Sequence, residues 1–320
     1  MLQSIAILYG GDSAEREVSL ESGMAVADAL ARLGHDTTLI DTRDVPVNCI
    51  DWSGFDTAFI ALHGTYGEDG GVQADLARLR VPYTGSGIEA SRCAFDKLAT
   101  KAKFAKTGIP TPAYEPIDAD EPIEAVCAKA EAIGYPLVIK PARQGSSVGV
   151  SIVAEPGQLA AAVELCFQHD TKGLIEKAII GEEWTVGMIN YRCLHPIRIE
   201  SATEFYDYAA KYQDNRTQYH IANVQTDYKL IDRLQDISRD ACANVETSGV
   251  ARVDFRVDES GQPWVLEINT VPGFTSHSLV PKAAKASGIS FPELCRMALM
   301  TAVLDQPPVV QSQPERRRAG

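Results

Sequence analysis

Short apolar runs alternate with longer amphipathic stretches through the first ninety residues. SIAILYGG reads as a buried strand, and VSLESGMAVADALARLG carries apolar positions at helical spacing. DTTLID and FDTAFIALHG read as a second and a third strand, and GVQADLARLR as a helix before VPYTGSG. Strands separated by helices of this length predict a parallel sheet wrapped by helices. Ligands of such sheets collect where loops leave the carboxyl ends of strands. Gly10, Gly11, Ser13 and Glu15 follow the first strand, and His63, Gly64 and Glu68 follow a later one. Both clusters fall on that edge.

Near residue 96 the pattern changes. SRCAFDKLATKAKFAKTG reads as one helix stopped at Gly108, and Pro110 and Pro112 mark a linker. PLVIKPARQGSSVGVSIV then reads as strand, small-residue loop and returning strand, followed by a helix through QLAAAVELCFQ and the strand GLIEKAI. Beyond Gly181 the alternation in EWTVGMI, RCLHPIRIE, ARVDFRVD and PWVLEIN predicts a mainly antiparallel sheet, with helices over 230–248 and 281–305. There is no internal repeat.

Composition narrows the class. Of 320 residues, 45% are hydrophobic and 23% charged, which excludes wholesale disorder. A net charge of −13 favours solubility and speaks against a nucleic-acid partner, while leaving room for a local basic site for phosphate. No apolar run approaches the ~18 residues of a membrane helix, and the opening apolar run is too short for a signal peptide. Seven cysteines, scattered and without a CxxC pair, read as reduced thiols of a cytoplasmic protein.

The richest chemistry lies in ARVDFRVDESGQPWVLEINTVPG. Two alternating strands flank ESGQ, a hairpin turn. With Ser260 and Gly261 at its centre, Asp254 faces Glu267, and Arg252 and Asn269 share that face. Two carboxylates and an amide oxygen make a hard, all-oxygen site suited to Mg²⁺ with phosphates as further ligands. A solvent-facing strand with an Arg–Asp pair accounts for the same residues, with Leu266 and Ile268 burying the opposite face under either reading. In PLVIKPARQGSSVGVSIV a buried strand delivers Lys140 to the loop Gly145-Ser146-Ser147-Val148-Gly149. The chain returns as a strand, which excludes a Walker-type loop. A Gly/Ser hairpin can still offer N–H groups and hydroxyls to phosphate, or be a plain surface hairpin. In LIEKAIIGEEWTVG, Glu176 and Glu183 stand at strand ends, where acids are usually just solvated. Lys97 alone reads as a surface lysine, His63 as a strand-end site residue, and FYDYAAKYQDNRTQY as a site loop or an amphipathic cover.

In order, LHGTYGEDGGVQ, VPYTGSG, DKLATK, VIKPARQGSSVGVS, FYDYAAKY, RVDF and LEINTVPGFTSHSLVP resemble the D-alanine–D-alanine ligases of the ATP-grasp superfamily. The resemblance implies an ATP-grasp fold of α/β class (α+β overall). Its parts would be an N-terminal Rossmann-like parallel-sheet domain over 1–95, a small central domain over 96–180 and a mainly antiparallel C-terminal domain over 181–306. A disordered tail would occupy 307–320. It implies ATP, two Mg²⁺ ions (or Mn²⁺) on Asp254, Glu267 and Asn269, and a homodimer. Lys97, Lys140 and Lys211 would hold phosphates, with Ser146 and Ser147 in the lid. Glu176, Ala178, Ile179 and Glu183 would surround adenine and ribose. Glu15, near His63, would hold the first D-alanine's ammonium, and Tyr212 and Ser146 would link with Glu15 to close the site. Ser278 and Leu279 would position the second D-alanine, and Arg252 with the Gly273 N–H would stabilise the oxyanion.

The implied reaction makes a D-alanyl phosphate, which a second D-alanine then attacks to give D-alanyl-D-alanine for peptidoglycan. Two features depart from the family pattern: Ala209 stands where glutamate is common, and HIANV follows Tyr219 where a Pro-Ala step is usual. Tyr212 favours an amine over D-lactate as the nucleophile. Rival readings are an ATP-grasp ligase for another carboxylate and amine, and a non-catalytic ATP-binding regulator.

Overall fold

Three sheets organise the computed structural model, which describes residues 2–200, 217–275 and 277–305. The first is parallel, as the alternation of strands and helices predicts. It contains β1 (Ser4–Tyr9), β2 (Asp36–Asp41) and β3 (Thr57–Ile60) in the order β2-β1-β3. Ile5, Ala6, Ile7 and Leu8 are all fully buried because both faces of the middle strand are covered. Helix α1 (Arg16–Arg32) supplies Val26 and Leu30 to one core, and α2 (Gly71–Leu79) supplies Val72 and Leu76 to another.

The predicted helix through 91–108 is two helices, α3 (Ile88–Phe95) and α4 (Lys97–Thr107). Asp96 between them has extended backbone, and its carboxylate caps α4 by accepting from the Leu98 and Ala99 N–H groups. The second sheet holds β4 (Tyr114–Asp118), β5 (Leu137–Pro141), β6 (Ser151–Val153) and β7 (Lys172–Lys177) in the antiparallel order β4-β7-β5-β6. Helices α5 (Ile123–Ile133) and α6 (Leu159–Phe167) pack beside it. The sequence pattern predicts neither β4 nor α5, because Pro110 and Pro112 just ahead of them read as linker.

The third sheet comprises β8 (Gly181–Ile189), β9 (Arg192–Cys193), β10 (Ile197–Glu200), β11 (Gln218–Ile221), β12 (Val250–Asp258) and β13 (Pro263–Asn269). Its order is β11-β10-β8-β12-β13, with β9 on β8, and every pair is antiparallel. Helix α7 (Tyr228–Val245) packs against β12 and β13. The helix expected over 281–305 is instead α8 (Leu279–Ala286) and α9 (Phe291–Leu299). Gly288 turns the chain between them, and Ser290 caps α9. All seven cysteines are free thiols. Among the described residues, no helix is long and apolar enough to cross a membrane. The tail over 307–320 lies outside the described residues.

The loop after β1 is held by one carboxylate. Gly10 adopts φ +70°, and a Cβ there would lie 2.4 Å from Asp41 Oδ1. Asp41 instead accepts from the Gly11 N–H at 3.1 Å and pairs in two places with Arg16, at 3.0 and 2.6 Å. These contacts, led by the Arg16 hydrogen bond, pull the Asp41 pKa down to about 2. The stabilisation is therefore present above the ordinary carboxylate pKa near 4 and lost as pH falls toward about 2. Asp41→Asn should cost about 1 kcal/mol at neutral pH and flatten that acid limb, measured by denaturant unfolding from pH 7 to 2.

Candidate active site

The hairpin of β12 and β13 sets the geometry. Arg252 pairs with Asn269 and Asp254 with Glu267, as the spacing predicts, but the turn is wider than two residues. Asp258 N–H donates to the Gln262 carbonyl at 3.0 Å, leaving Glu259, Ser260 and Gly261 as the turn. A bulge between Asp254 and Phe255 restores the register. It also corrects the buried face: Val265, not Leu266, joins Ile268 in the core.

Asp254 is only 9% exposed and is held from three strands. Arg252 donates to both oxygens at 2.8 Å, Thr185 on β8 to Oδ1 at 2.7 Å, and Asn269 to Oδ2 at 2.9 Å. Glu267 faces Lys97 Nζ at 3.2 Å, and Lys97 also donates to the Gln144 carbonyl at 2.7 Å. Lys97 is thus buried between the hairpin and the small-residue loop, not on the surface. Asp254, Glu267 and the Asn269 amide are hard oxygen donors on one face. They fit Mg²⁺, whose octahedral shell they leave to be completed by phosphate oxygens and water. No cluster of three or more His, Cys, Asp or Glu side chains suited to a metal occurs among the described residues.

Opposite the hairpin, the Ser146 hydroxyl donates to Glu15 Oε1, so the small-residue loop reaches the N-terminal edge of α1. Ser146 and Ser147 take φ +50° and +60°, a left-handed conformation costly for residues with a Cβ and typical of ligand loops. His63, buried, bonds the Val271 carbonyl at 2.9 Å and the Ser22 hydroxyl at 3.3 Å. Burial opposes its protonation, but Glu68, Glu15 and the carbonyl outweigh that and raise its pKa. Gly273 leaves room for Ser278, whose Oγ would lie 2.7 Å from a Cβ there. Ser278 Oγ instead accepts from the Thr275 N–H at 3.1 Å, just ahead of Leu279, the first residue of α8.

Most of the predicted site residues on these two sides line one cleft. It brings together Glu15, His63 and Ser146 from one side with Arg252, Asp254, Glu267 and Asn269 from the other. Glu183, Gly273, Ser278 and Leu279 complete its wall. Lys97, Ser147, Lys140, Glu176, Ala178 and Ile179 do not line it. Ala178 follows β7, where its N–H donates to the Pro136 carbonyl, and Ile179 adjoins it in the connection to β8. Lys140 Nζ lies 2.8 Å from Glu176 Oε1 in the second sheet. Glu176 is 2% exposed, so it is not the solvated acid its strand-end position suggests. Lys211, Tyr212 and Ala209 lie outside the described residues.

A sequence profile described as "D-ala D-ala ligase C-terminus" matches residues 104–300. The chain is 43% identical over 301 residues to a D-alanine–D-alanine ligase of Dechloromonas aromatica, covering 94% of this chain and 98% of that one. The chain belongs to the D-alanine–D-alanine ligase family. A ligase of this family from Pseudomonas entomophila is 44% identical over 93% of each chain. A crystal structure of a D-alanine–D-alanine ligase from Bacillus anthracis superposes with a TM-score of 0.81 at 36% identity, covering 93% of this chain and 96% of that one. The ATP-grasp architecture expected of such ligases is the one described above.

Four residues of this ligase site escape sequence reasoning. Thr185 and Ser22 look like ordinary strand and helix polar residues, and Gln144 contributes only its carbonyl. Lys101, one turn after Lys97 and 1% exposed, lies 2.5 Å from Glu176 Oε2. Only its i+4 spacing from Lys97 could have pointed to it. Ser22 also accepts from the Phe274 N–H at 3.1 Å, tying α1 to the segment that carries Gly273. Ser22→Ala should cost about 1–3 kcal/mol in denaturant unfolding, because it strands a buried N–H. It should also raise KM for D-alanine more than for ATP in steady-state assays.

Proposed function

We propose that this chain joins two D-alanines into D-alanyl-D-alanine at the expense of ATP, supplying peptidoglycan synthesis in the cytoplasm. The observation that carries the reading is the single cleft in which Glu15 and Ser146 face Arg252, Asp254, Glu267 and Asn269, in a chain of this family. Glu15 takes the ammonium of the first D-alanine, and a carboxylate oxygen of that D-alanine attacks the γ-phosphorus of ATP. ADP leaves, and a D-alanyl phosphate forms. Lys97, Lys140 and Lys211 hold the phosphates. Glu176, Ala178, Ile179 and Glu183 surround adenine and ribose. Asp254, Glu267 and Asn269 would hold two Mg²⁺, or Mn²⁺, which neutralise phosphate charge when bound.

The neutral amine of the second D-alanine, set by Ser278 and Leu279, then attacks the acyl carbon. Arg252 and the Gly273 N–H offset the oxyanion, phosphate departs, and the amide forms. Ser146 bonds to Glu15, and Tyr212 would join it in closing the lid, which shields the acyl phosphate from water. His63, bonded to the Val271 carbonyl, fixes the floor beneath the first substrate. We assign the N-terminal unit to 1–95, the central one to 96–180 and the C-terminal one to 181–306, and take the enzyme as a homodimer.

The reading is tested by phosphate release from MgATP with D-alanine, L-alanine or no amino acid, with product mass recorded. Release with D-alanine alone and a D-alanyl-D-alanine mass are expected; ATP binding without any amino-acid-dependent release would overturn it. Glu267→Gln should lower kcat about 100-fold or more while the protein stays folded. D-lactate should not rival D-alanine as second substrate near pH 7, and comparable kcat/KM values for the two would refute the amine assignment.

A further inference from the structure

Behind the cleft, one carboxylate serves two lysines. Glu176 on β7 has Lys140 Nζ 2.8 Å from one oxygen and Lys101 Nζ 2.5 Å from the other, and all three groups are buried. Lys101 is anchored on its other sides by Thr111 Oγ1 at 2.5 Å, the Pro112 carbonyl at 3.3 Å and the ring of Tyr114, 5.1 Å away. Thr111 donates in turn to the Val265 carbonyl of β13 at 2.8 Å. Lys101 is therefore fixed to the segment that enters the second sheet, whereas Lys140 has Glu176 as its one acidic partner among the described residues.

The cluster holds one more cation than anion. A buried net charge is costly, and a phosphate arriving at Lys140 removes the excess. Drawing Lys140 away from Glu176 would, however, leave a buried carboxylate bare unless a second cation stays. We propose that Lys101 is a positioning residue that keeps Glu176 neutralised, so that Lys140 is free to pair with nucleotide phosphate. This rests on the reading above that Lys140 holds phosphate. Lys101 itself touches no substrate; it acts through Glu176 and Lys140.

The test uses the full-length enzyme with MgATP and D-alanine, reading ATP affinity by calorimetry and KM and kcat by phosphate release. Lys101→Met should raise Kd and KM for ATP about tenfold or more, with kcat changed less than about threefold. In a Glu176→Gln background, where no buried carboxylate needs a partner, Lys101→Met should change Kd by less than about twofold. A lysine that merely supports the fold would weaken ATP binding by the same factor in both backgrounds, and that result overturns the proposal. Should Lys101→Met alone fail to fold, the double variant carries the test. A double variant that folds with the ATP affinity of Glu176→Gln supports the proposal, and one that also fails to fold refutes it. Lys140→Met separates the two levels. Unchanged ATP affinity in that variant removes the phosphate role of Lys140 and this proposal with it. Weakened affinity there, alongside wild-type affinity in Lys101→Met, removes the role of Lys101 alone.

Discussion

A carboxylate can stay inside a sheet only if every lone pair facing the protein is met, and Asp254 imposes that demand on three strands at once. Arg252 shares its strand and covers both oxygens, Thr185 reaches from β8, and Asn269 reaches from β13. Replacing one of these partners with an apolar group would expose a desolvated charge, which costs more than the hydrogen bond itself contributes. The same arrangement aims Arg252 and Asn269 into the cleft and brings Glu267 within reach of Lys97. The rigid part of the site is thus a consequence of keeping one acid buried.

The opposite wall is joined to this hairpin by a few long-range contacts. His63 from the end of β3 holds the Val271 carbonyl, and Ser22 from α1 holds the Phe274 N–H. Both bonds cross more than two hundred residues of chain, and both fix the segment that leaves β13 toward α8. The Ser146–Glu15 contact closes the remaining side from the second sheet. Each of the three sheets therefore contributes one wall.

Much of this was legible along the chain. Period-two alternation in ARVDFRVD and PWVLEIN predicted the hairpin and the Asp254–Glu267 pairing, because side-chain direction in a strand follows from position alone. The alternation of strands and helices predicted the parallel sheet for a similarly local reason. The run of small residues after Lys140 predicted a loop between two strands, and the chain does turn there between β5 and β6. Local signals mislead where they conflict. Asp96 and Gly288 split helices that periodicity ran together, and Pro110, Pro112 and Pro116 hid a strand.

What the sequence by itself determined was the order and type of most elements, the polar residues on each strand face, and the family. Those depend on spacing and on residue chemistry. Only the tertiary structure decided that a bulge exchanges Val265 for Leu266 in the core, that Lys97 is buried rather than a surface lysine, and that Lys101 is buried beside it. It alone showed that Glu176 is neutralised twice. Burial and charge pairing are set by what the rest of the chain brings alongside a residue, and partners 36 or 75 positions away leave no mark on the local pattern.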